Sequence, residues 1–319
     1  MNKTIRQFFE RYSTQLLLVA MLAALASFMT WHSDFFMTAK NIKNIFEAIA
    51  FRMILAIGMN LVIVSGAIDL SAGSMVSLSG ILIALGLKSG LPAAAAIFIG
   101  ICSGALLGAV NGMIIHFSKI NSFIITLAAS SIYRGLALIL TRGSTISQFP
   151  SAFLFWGRSD VDKLNPPLVI AMVLFVIAFP IMHRTKWGQY VQALGGNEEA
   201  LRRSGVYCGI YKISSFIVLG ICAALTGVIT TARLNSAEAN AGIGMELDAI
   251  TAVVMGGTLM SGGKMSLCGT GIAVLLLGVI RNGLTIMSIS SFYQQFAIGL
   301  ILLVSVLFSE IKEKHKLLS

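Results

Sequence analysis

The chain has 319 residues, of which 56% are hydrophobic and only 11% are charged, whereas about 25% of the residues in a soluble domain carry a charge. This balance excludes a soluble globular protein and indicates an integral membrane protein. The net charge of +10 comes from basic residues scattered among short loops, which is typical of positive-inside topology and argues against a nucleic-acid partner.

Apolar runs close to the ~20 residues of a membrane helix recur along nearly the whole chain. The first run follows Lys3, Arg6 and Arg11 and ends without a small-residue cleavage site, so we predict a retained span rather than a signal peptide. We predict about ten spans in an all-α, polytopic fold, at residues 15–31, 46–65, 74–87, 92–115, 122–141, 166–183, 211–232, 246–261, 267–287 and 292–309.

The loops on the side of the N-terminus carry more Lys and Arg than the loops on the opposite side. Because basic residues near span ends stay in the cytoplasm, we predict that both termini are cytoplasmic. Glycine is dense in the short third and eighth spans and through the fourth, which predicts helices that break or approach closely in the bundle interior. These glycines are Gly80, Gly86, Gly100, Gly104, Gly108, Gly112, Gly256, Gly257, Gly262 and Gly263.

The segment SGAIDLSAGS at 65–74 interrupts the apolar pattern and contains Asp69, Ser71 and Ser74. An ionised carboxylate at the membrane centre costs about 2.5 to 3.5 kcal/mol, so Asp69 is expected to face protein, water or a helix N-terminus. It either lines a gate or caps the next span at the cytoplasmic rim. The predicted topology favours the cap.

Other ionisable groups lie inside predicted spans: Arg134 in the fifth, Arg281 in the ninth, and Glu246 with Asp248 at the outer start of the eighth. Such groups are candidates for a transport path, and ion pairs that fix helix packing are the alternative. The amides of three asparagines are suited to interhelical hydrogen bonds, which favours a structural role. The path or gate candidates are Asn60, Asp69, Ser71, Ser74, Asn111, Arg134, Glu246, Asp248 and Asn282.

Two pairs of dipeptides leave an internal repeat as one alternative: Ser65-Gly66 and Gly256-Gly257 each precede a break, and Asn-Gly recurs at 111–112 and 282–283. The unequal spacing of these two pairs argues against an internal repeat.

The polar island GGNEEALRRSGV, at 195–206, lies between two apolar runs. Asn197 is a good N-cap, Glu198 and Glu199 suit the positive end of a helix, and Arg202 with Arg203 suits its negative end. Ser204-Gly205 supplies the stop. This pattern predicts a short helix outside the membrane that either rests on lipid headgroups or docks on another protein.

No catalytic pattern is present. The segment GTLMSGGKM at 257–265 has its lysine one position late for a phosphate-binding loop, and the four histidines lack an HExxH pattern. Neither an enzyme nor a chain with its own cofactor or metal is expected. Energy for transport would come from a partner or from an ion gradient, but an ion-coupled transporter would need more acids or histidines near the membrane centre.

The segment TKWGQYVQALGGNEEALRRSGV at 185–206 resembles the coupling segment of bacterial ATP-binding-cassette importer permeases of the ribose, xylose, arabinose and galactose branch. Three further blocks support this resemblance in the same order: SGAIDLSAGS at 65–74, GAVNGMIIHFSKINSFIITLAASSIYRGLALILTRG at 108–143, and ELDAITAVVMGGTLMSGGKMSLCGTGIAVLLLGVIRNGL at 246–284. The chain departs from the family pattern at Ala67, Ser122 and Lys264-Met265.

The resemblance implies a single permease domain over 1–319, with a cytoplasmic coupling segment at 185–207, in the bacterial inner membrane. It implies a cytoplasmic ATPase that holds ATP and Mg²⁺, a periplasmic sugar-binding protein and a second copy of the chain in a homodimer. A pentose or hexose is the expected substrate, with a nucleoside or furanosyl signalling molecule as the alternative. The implied coupling residues are Gly195, Gly196, Asn197, Glu198, Glu199, Ala200, Arg202, Arg203, Ser204 and Gly205.

Overall fold

The computed structural model describes residues 3–157 and 165–318, with side chains described for 12–157 and 165–307. The described chain is almost entirely helical, and one short β-ladder pairs β1 with β2 in antiparallel fashion. The elements in chain order are α1 Lys3–His32, α2 Ala39–Val64, α3 Ala72–Lys88, α4 Ala93–Ser118, α5 Ser122–Thr141, β1 Ile146–Ser147, α6 Ser151–Leu154, a 3₁₀ turn Phe155–Gly157, α7 Pro166–Arg184, α8 Lys186–Gly196, α9 Glu198–Arg203, α10 Cys208–Leu234, β2 Ser236–Ala237, α11 Met245–Met255, α12 Leu267–Ile286 and α13 Ser291–Leu318.

Within the described residues, seven helices are long and apolar enough to cross a membrane, namely α1, α2, α4, α5, α7, α10 and α12. Shorter apolar helices are Ala72–Lys88 and the segment Ser291–Leu307 of α13. The prediction of an all-α, polytopic membrane protein is confirmed. The eighth predicted span, 246–261, is wrong as a spanning helix, because its helix has only 11 residues and stops before Gly256. Such a helix is about 16 Å long, roughly half of the ~30 Å hydrocarbon thickness.

Helices α2, α10 and α12 form the centre of the bundle. In α2, 78% of the most apolar stretch of the helix is buried. In α1 the corresponding share is 11%, so α1 lies at the periphery. Small residues allow the central contacts: Gly58 of α2 lies against Leu219 and Cys222 of α10, and Gly104 of α4 lies against Gly220 of α10. The close approach that the glycines predict is therefore confirmed for α4. Such helices are held together by close packing, since lipid offers no hydrophobic driving force for their association.

The helices α2–α5 and α10–α13 form an inverted repeat. Corresponding helices start at similar offsets, with Ala39 and Cys208 separated by 169 residues and Ala72 and Met245 by 173. Helices α2 and α10 run antiparallel, since the Thr226 hydroxyl bonds the Phe51 carbonyl while Gly58 lies against Leu219. In each half a non-helical break, 65–71 or 235–244, follows the long helix and leads to a helix that begins inside the bundle.

The expectation that the chain lacks an internal repeat was wrong for a specific reason. Asn111-Gly112 and Asn282-Gly283 do lie on corresponding helices, α4 and α12, and are 171 residues apart. Ser65-Gly66 ends α2, however, whereas Gly256-Gly257 ends α11, so these two dipeptides are not equivalent. The spacing of this pair therefore differs from the spacing of the two Asn-Gly dipeptides. The actual repeat brings the N-termini of α3 and α11 together, with Gly73 against Gly242 and Glu246.

Candidate functional site

The break at 65–71 is an unwound stretch of backbone that lies along the start of α5. The Ile68 N–H donates to the Ser122 hydroxyl at 3.0 Å, and the Leu70 N–H donates to the Thr126 hydroxyl at 3.1 Å. The Thr126 hydroxyl in turn lies 3.2 Å from the Ile68 carbonyl. Non-helical backbone at membrane depth is stable only where protein or water satisfies it. Side chains of α5 do so here, and Ser122 provides one of the acceptors.

Asp69 is the centre of a buried polar cluster in this break. One of its carboxylate oxygens accepts hydrogen bonds from the Ser71 N–H at 2.7 Å and the Ser71 hydroxyl at 2.6 Å. The Asn111 amide donates to the other oxygen at 3.3 Å and to the Ser71 hydroxyl at 2.8 Å. The Tyr133 hydroxyl donates to the Asn111 amide oxygen at 2.7 Å. The cluster therefore joins the break to α4 and α5.

The interpretation of Asp69 as a cap at the cytoplasmic rim stays a prediction, since its burial inside the protein does not define its depth in the membrane. Asp69, Ser71, Ser74 and Asn111 have no exposed surface, and Ser71 occupies the N-cap position of α3 without a side-chain cap bond. The Ser74 hydroxyl bonds back to the Ser71 carbonyl at 2.7 Å. Tyr133 was not predicted from the sequence as a member of this cluster. The feature that could have indicated it is a phenol hydroxyl inside an apolar span.

The second break, 235–244, is held by Arg134. This guanidinium donates to the carbonyls of Ala239 and Ala241 and so joins α5 to the segment that precedes α11. One Glu246 carboxylate oxygen accepts from the Gly244 N–H at 3.3 Å. The other is buried beside Gly73 and has no hydrogen-bond partner among the described residues. Arg134 and Glu246 thus flank the point at which the N-termini of α3 and α11 meet.

Asp248 binds two arginines from neighbouring helices. Arg281 of α12 contacts both carboxylate oxygens, at 2.6 and 2.8 Å, and Arg52 of α2 lies 3.4 Å from one of them. The side chain of Asp248 is only 10% exposed. This geometry favours the interpretation of Asp248 and Arg281 as an ion pair that fixes packing. Arg52 was not among the candidates from the sequence, although it is a charged residue inside an apolar span.

Asn60 and Asn282 make the interhelical bonds that their amides suggest. The Asn60 amide donates to the hydroxyls of Thr258 at 3.0 Å and Thr270 at 2.7 Å, which joins α2 to the loop after α11 and to α12. Asn282 and Asn41 exchange two amide hydrogen bonds of 2.7 and 3.0 Å. Both asparagines use their donors for helix packing. Among the described residues no three His, Cys, Asp or Glu side chains group as metal ligands.

The polar island folds as the sequence predicts. The Asn197 side chain accepts a hydrogen bond from the Ala200 N–H at 2.9 Å, and α9 extends over Glu198–Arg203. The helix then stops at Ser204 and Gly205. Gly205 has a φ of +85°, and its N–H donates to the Arg202 carbonyl at 3.0 Å. Gly195 and Gly196 end α8. Helices α8 and α9 therefore meet at Asn197, which caps the second helix.

Two contacts seat α9 on the bundle. Leu201 is buried against Leu194 of α8 and Cys208 of α10, and Glu198 forms an ion pair of 2.6 Å with Lys212 of α10. Glu199 pairs locally with the two following arginines. The exposed residues of this short helix and its flanks are Gly196, Asn197, Glu198, Glu199, Ala200, Arg202, Arg203, Ser204 and Gly205. They form a polar face that the bundle does not cover.

Residues 41–306 match the protein family described as branched-chain amino acid transport system / permease component. Because this match covers most of the chain, the chain belongs to that family of permease components of transport systems. The resemblance carried by the four sequence blocks is confirmed at the level of a transport permease.

Three curated relatives are similar over most of their length. The ribose import permease protein RbsC of Escherichia coli K12 is 37% identical over 300 residues, which are 93% of each chain. The D-allose transport system permease protein AlsC of the same strain is 32% identical over 94% of this chain and 91% of the relative. The L-arabinose ABC transporter permease protein AraH of Azospirillum brasilense is 30% identical over 88% and 83%. No solved structure matches the chain.

Proposed function

We propose that this chain is the membrane-spanning permease subunit of a bacterial ATP-binding-cassette importer that carries a monosaccharide across the inner membrane. The observation that carries the proposal is the similarity, over more than four fifths of each chain, to permeases named for ribose, allose and arabinose. These names favour a free pentose or hexose over a nucleoside or furanosyl signalling molecule. The uncovered polar face of α9 supports the same assignment, because it offers a docking surface outside the bundle.

The helices support a topology of ten crossings with both termini in the cytoplasm. In this topology α11 and the break 235–244 together make the eighth crossing, since α11 alone is too short. The whole chain, 1–319, forms one membrane domain. Residues 185–207, which include α8 and α9, then lie on the cytoplasmic side and form the coupling segment.

The chain works with three kinds of partner. A cytoplasmic ATPase binds ATP and Mg²⁺ and docks on α9, a periplasmic binding protein delivers the sugar, and a second copy of the chain completes a homodimer. The permease itself catalyses no reaction and holds no cofactor. High sugar affinity resides in the binding protein, because a path that must release its cargo is best served by weakly polar groups.

The mechanism is alternating access driven by the ATPase. ATP binding closes the ATPase dimer and moves α9, and the helices reorient around the path. The two breaks are the proposed gate, because their non-helical backbone can change conformation without unwinding a helix, and Asp69, Ser71, Asn111, Arg134 and Glu246 hold them. Asn60, Asp248 and Asn282 hold the surrounding helices together.

The test is reconstitution of the chain in proteoliposomes with its ATPase and its binding protein. Radiolabelled ribose, allose and arabinose are supplied outside with ATP inside, and the control is an ATPase whose phosphate-binding lysine is replaced. ATP-dependent accumulation of one of these sugars is expected. Accumulation that continues with the inactive ATPase, or no uptake of any monosaccharide by the active complex, contradicts the proposal.

A further inference from the structure

The end of α8 contacts two other chain segments through backbone atoms. These segments are 64–66 at the end of α2 and 262–263 in the loop between α11 and α12. We name this crossing the glycine junction, and its members are Gly66, Gly195, Gly196, Gly262 and Gly263.

Gly195 lies at the centre of the glycine junction. A methyl group on Gly195 would collide with the Val64 carbonyl and would lie 2.8 Å from the Gly263 nitrogen and 2.9 Å from the Gly66 nitrogen. The Gly263 N–H also donates to the Val64 carbonyl at 2.9 Å. No flexible side chain separates the three segments. A displacement of one backbone is therefore passed directly to the others, as in any close-packed interior.

The glycine junction connects α9 to two non-helical segments on this side of the bundle. Residues 64–66 continue into the break that contains Asp69 and its buried polar cluster. Residues 262–263 belong to the loop that carries Thr258, which binds Asn60 and also accepts the Ser266 N–H at 3.0 Å. Side chains of α8 and α9 also contact regular helices, through Trp187 to Ser214 of α10 and through Leu201 to Cys208.

We propose that the glycine junction transmits the displacement of α9 to the break at 65–71 and to the loop at 256–266, and that Gly195 is its positioning residue. This proposal rests on the proposed function, because it concerns how the ATPase cycle reaches the membrane core. It adds the physical route. Helix α9 moves together with α8, and the end of α8 displaces the backbone segments 64–66 and 262–263. These segments continue into the break and the loop that carry the buried polar groups.

The chain offers two matched pairs of glycines for a test. Gly195→Ala places a methyl group in the junction, whereas in Gly135→Ala, inside α5, the methyl meets nothing within 4 Å. Gly262→Ala and Gly90→Ala both place alanine at a φ of +88°, but only Gly262 lies in the junction, and nothing lies within 4 Å of the methyl at Gly90. The second pair controls for backbone strain.

Each variant is reconstituted with the ATPase and binding protein, and both ATP hydrolysis and sugar uptake are measured. We expect Gly195→Ala to bind the ATPase and hydrolyse ATP as the wild type does, but to use about tenfold more ATP for each sugar imported. Gly135→Ala is expected to stay within about twofold of the wild-type ratio. The ratio of ATP to sugar distinguishes transmission from a purely structural defect, which lowers both rates together.

Equal ATP-to-sugar ratios in Gly195→Ala and Gly135→Ala overturn the proposal, and so does loss of ATPase binding by Gly195→Ala. If Gly195→Ala does not accumulate in the membrane, the same comparison is made between Gly262→Ala and Gly90→Ala, and equal ratios again overturn it. The proposed function fails separately, since it fails when the wild-type complex itself imports no sugar.

Discussion

The ammonium group of Lys212 lies 2.6 Å from a carboxylate oxygen of Glu198 and joins α9 to the first turns of α10. Lys212 is the more buried partner, with 15% of its side chain exposed, against 47% for Glu198. The pair fixes the position of a helix of only 6 residues, which is too short to be stable without contacts of this kind.

Reversing one charge of this pair is expected to impair uptake. Glu198→Lys and Lys212→Glu each place like charges together and are expected to lower sugar uptake about fivefold, while the double variant restores it to within about twofold because attraction is re-formed. Uptake in proteoliposomes measures the effect. Asp34→Lys, in the exposed turn after α1, is the control for charge reversal. A double variant that is no better than the singles would contradict this role.

Removal of the Asp248 carboxylate is expected to destabilise the bundle. Asp248→Asn leaves Arg52 and Arg281 near each other without their counter-charge, and breaking a buried ion pair in this way costs about 3 kcal/mol. The measurement is the thermal unfolding midpoint in detergent, which is expected to fall. Asp34→Asn is the control, because Asp34 is exposed. Equal midpoints for the two variants would exclude a stabilising ion pair.

The hydroxyl of Ser122 is expected to hold the break that contains Asp69. Ser122→Ala leaves the Ile68 N–H without its acceptor, and a partly buried donor left unpaired costs about 1 kcal/mol or more. We expect faster amide hydrogen exchange at residues 67–70 and a lower unfolding midpoint. Ser131→Ala is the matched control on the same helix, because the Ser131 hydroxyl bonds only the Leu127 carbonyl of its own helix. Unchanged exchange at the break would show that α5 does not hold it.

The topology predicts that a cysteine at position 200 reacts with a membrane-impermeant maleimide only from the cytoplasmic side. Ala200 is exposed on α9, and Cys102 and Cys268, the exposed native cysteines, are replaced first. Ser144→Cys, in the exposed turn after α5, is expected to react only from the periplasmic side. Inside-out and right-side-out vesicles provide the two sides. Labelling of position 200 from the periplasm would invert the proposed orientation.

Much of the candidate site is local and could be predicted from the sequence. Helix α9 depends on an N-cap at Asn197, acids in its first turn, arginines in its last and a stop at Gly205, and all of these lie within nine residues. The location of Asp69 in a break was equally visible. Its burial was not, because the groups that cover it come from α4 and α5, and Asn111 is 42 residues away.

The sequence by itself determined that this protein is membrane-embedded and helical, where its apolar runs lie and where its exposed polar helix begins and ends, because hydrophobicity and capping act over one or two turns. The tertiary structure decided that Arg281 and Arg52 share Asp248, that α3 and α11 begin face to face inside the bundle, and that Gly195 crosses Gly66 and Gly262. These contacts join residues far apart in the chain, such as Asn60 and Thr258 with a separation of 198. Only the packing of whole helices fixes such partners, since a lone arginine or glycine in an apolar run carries no information about which neighbour it will meet.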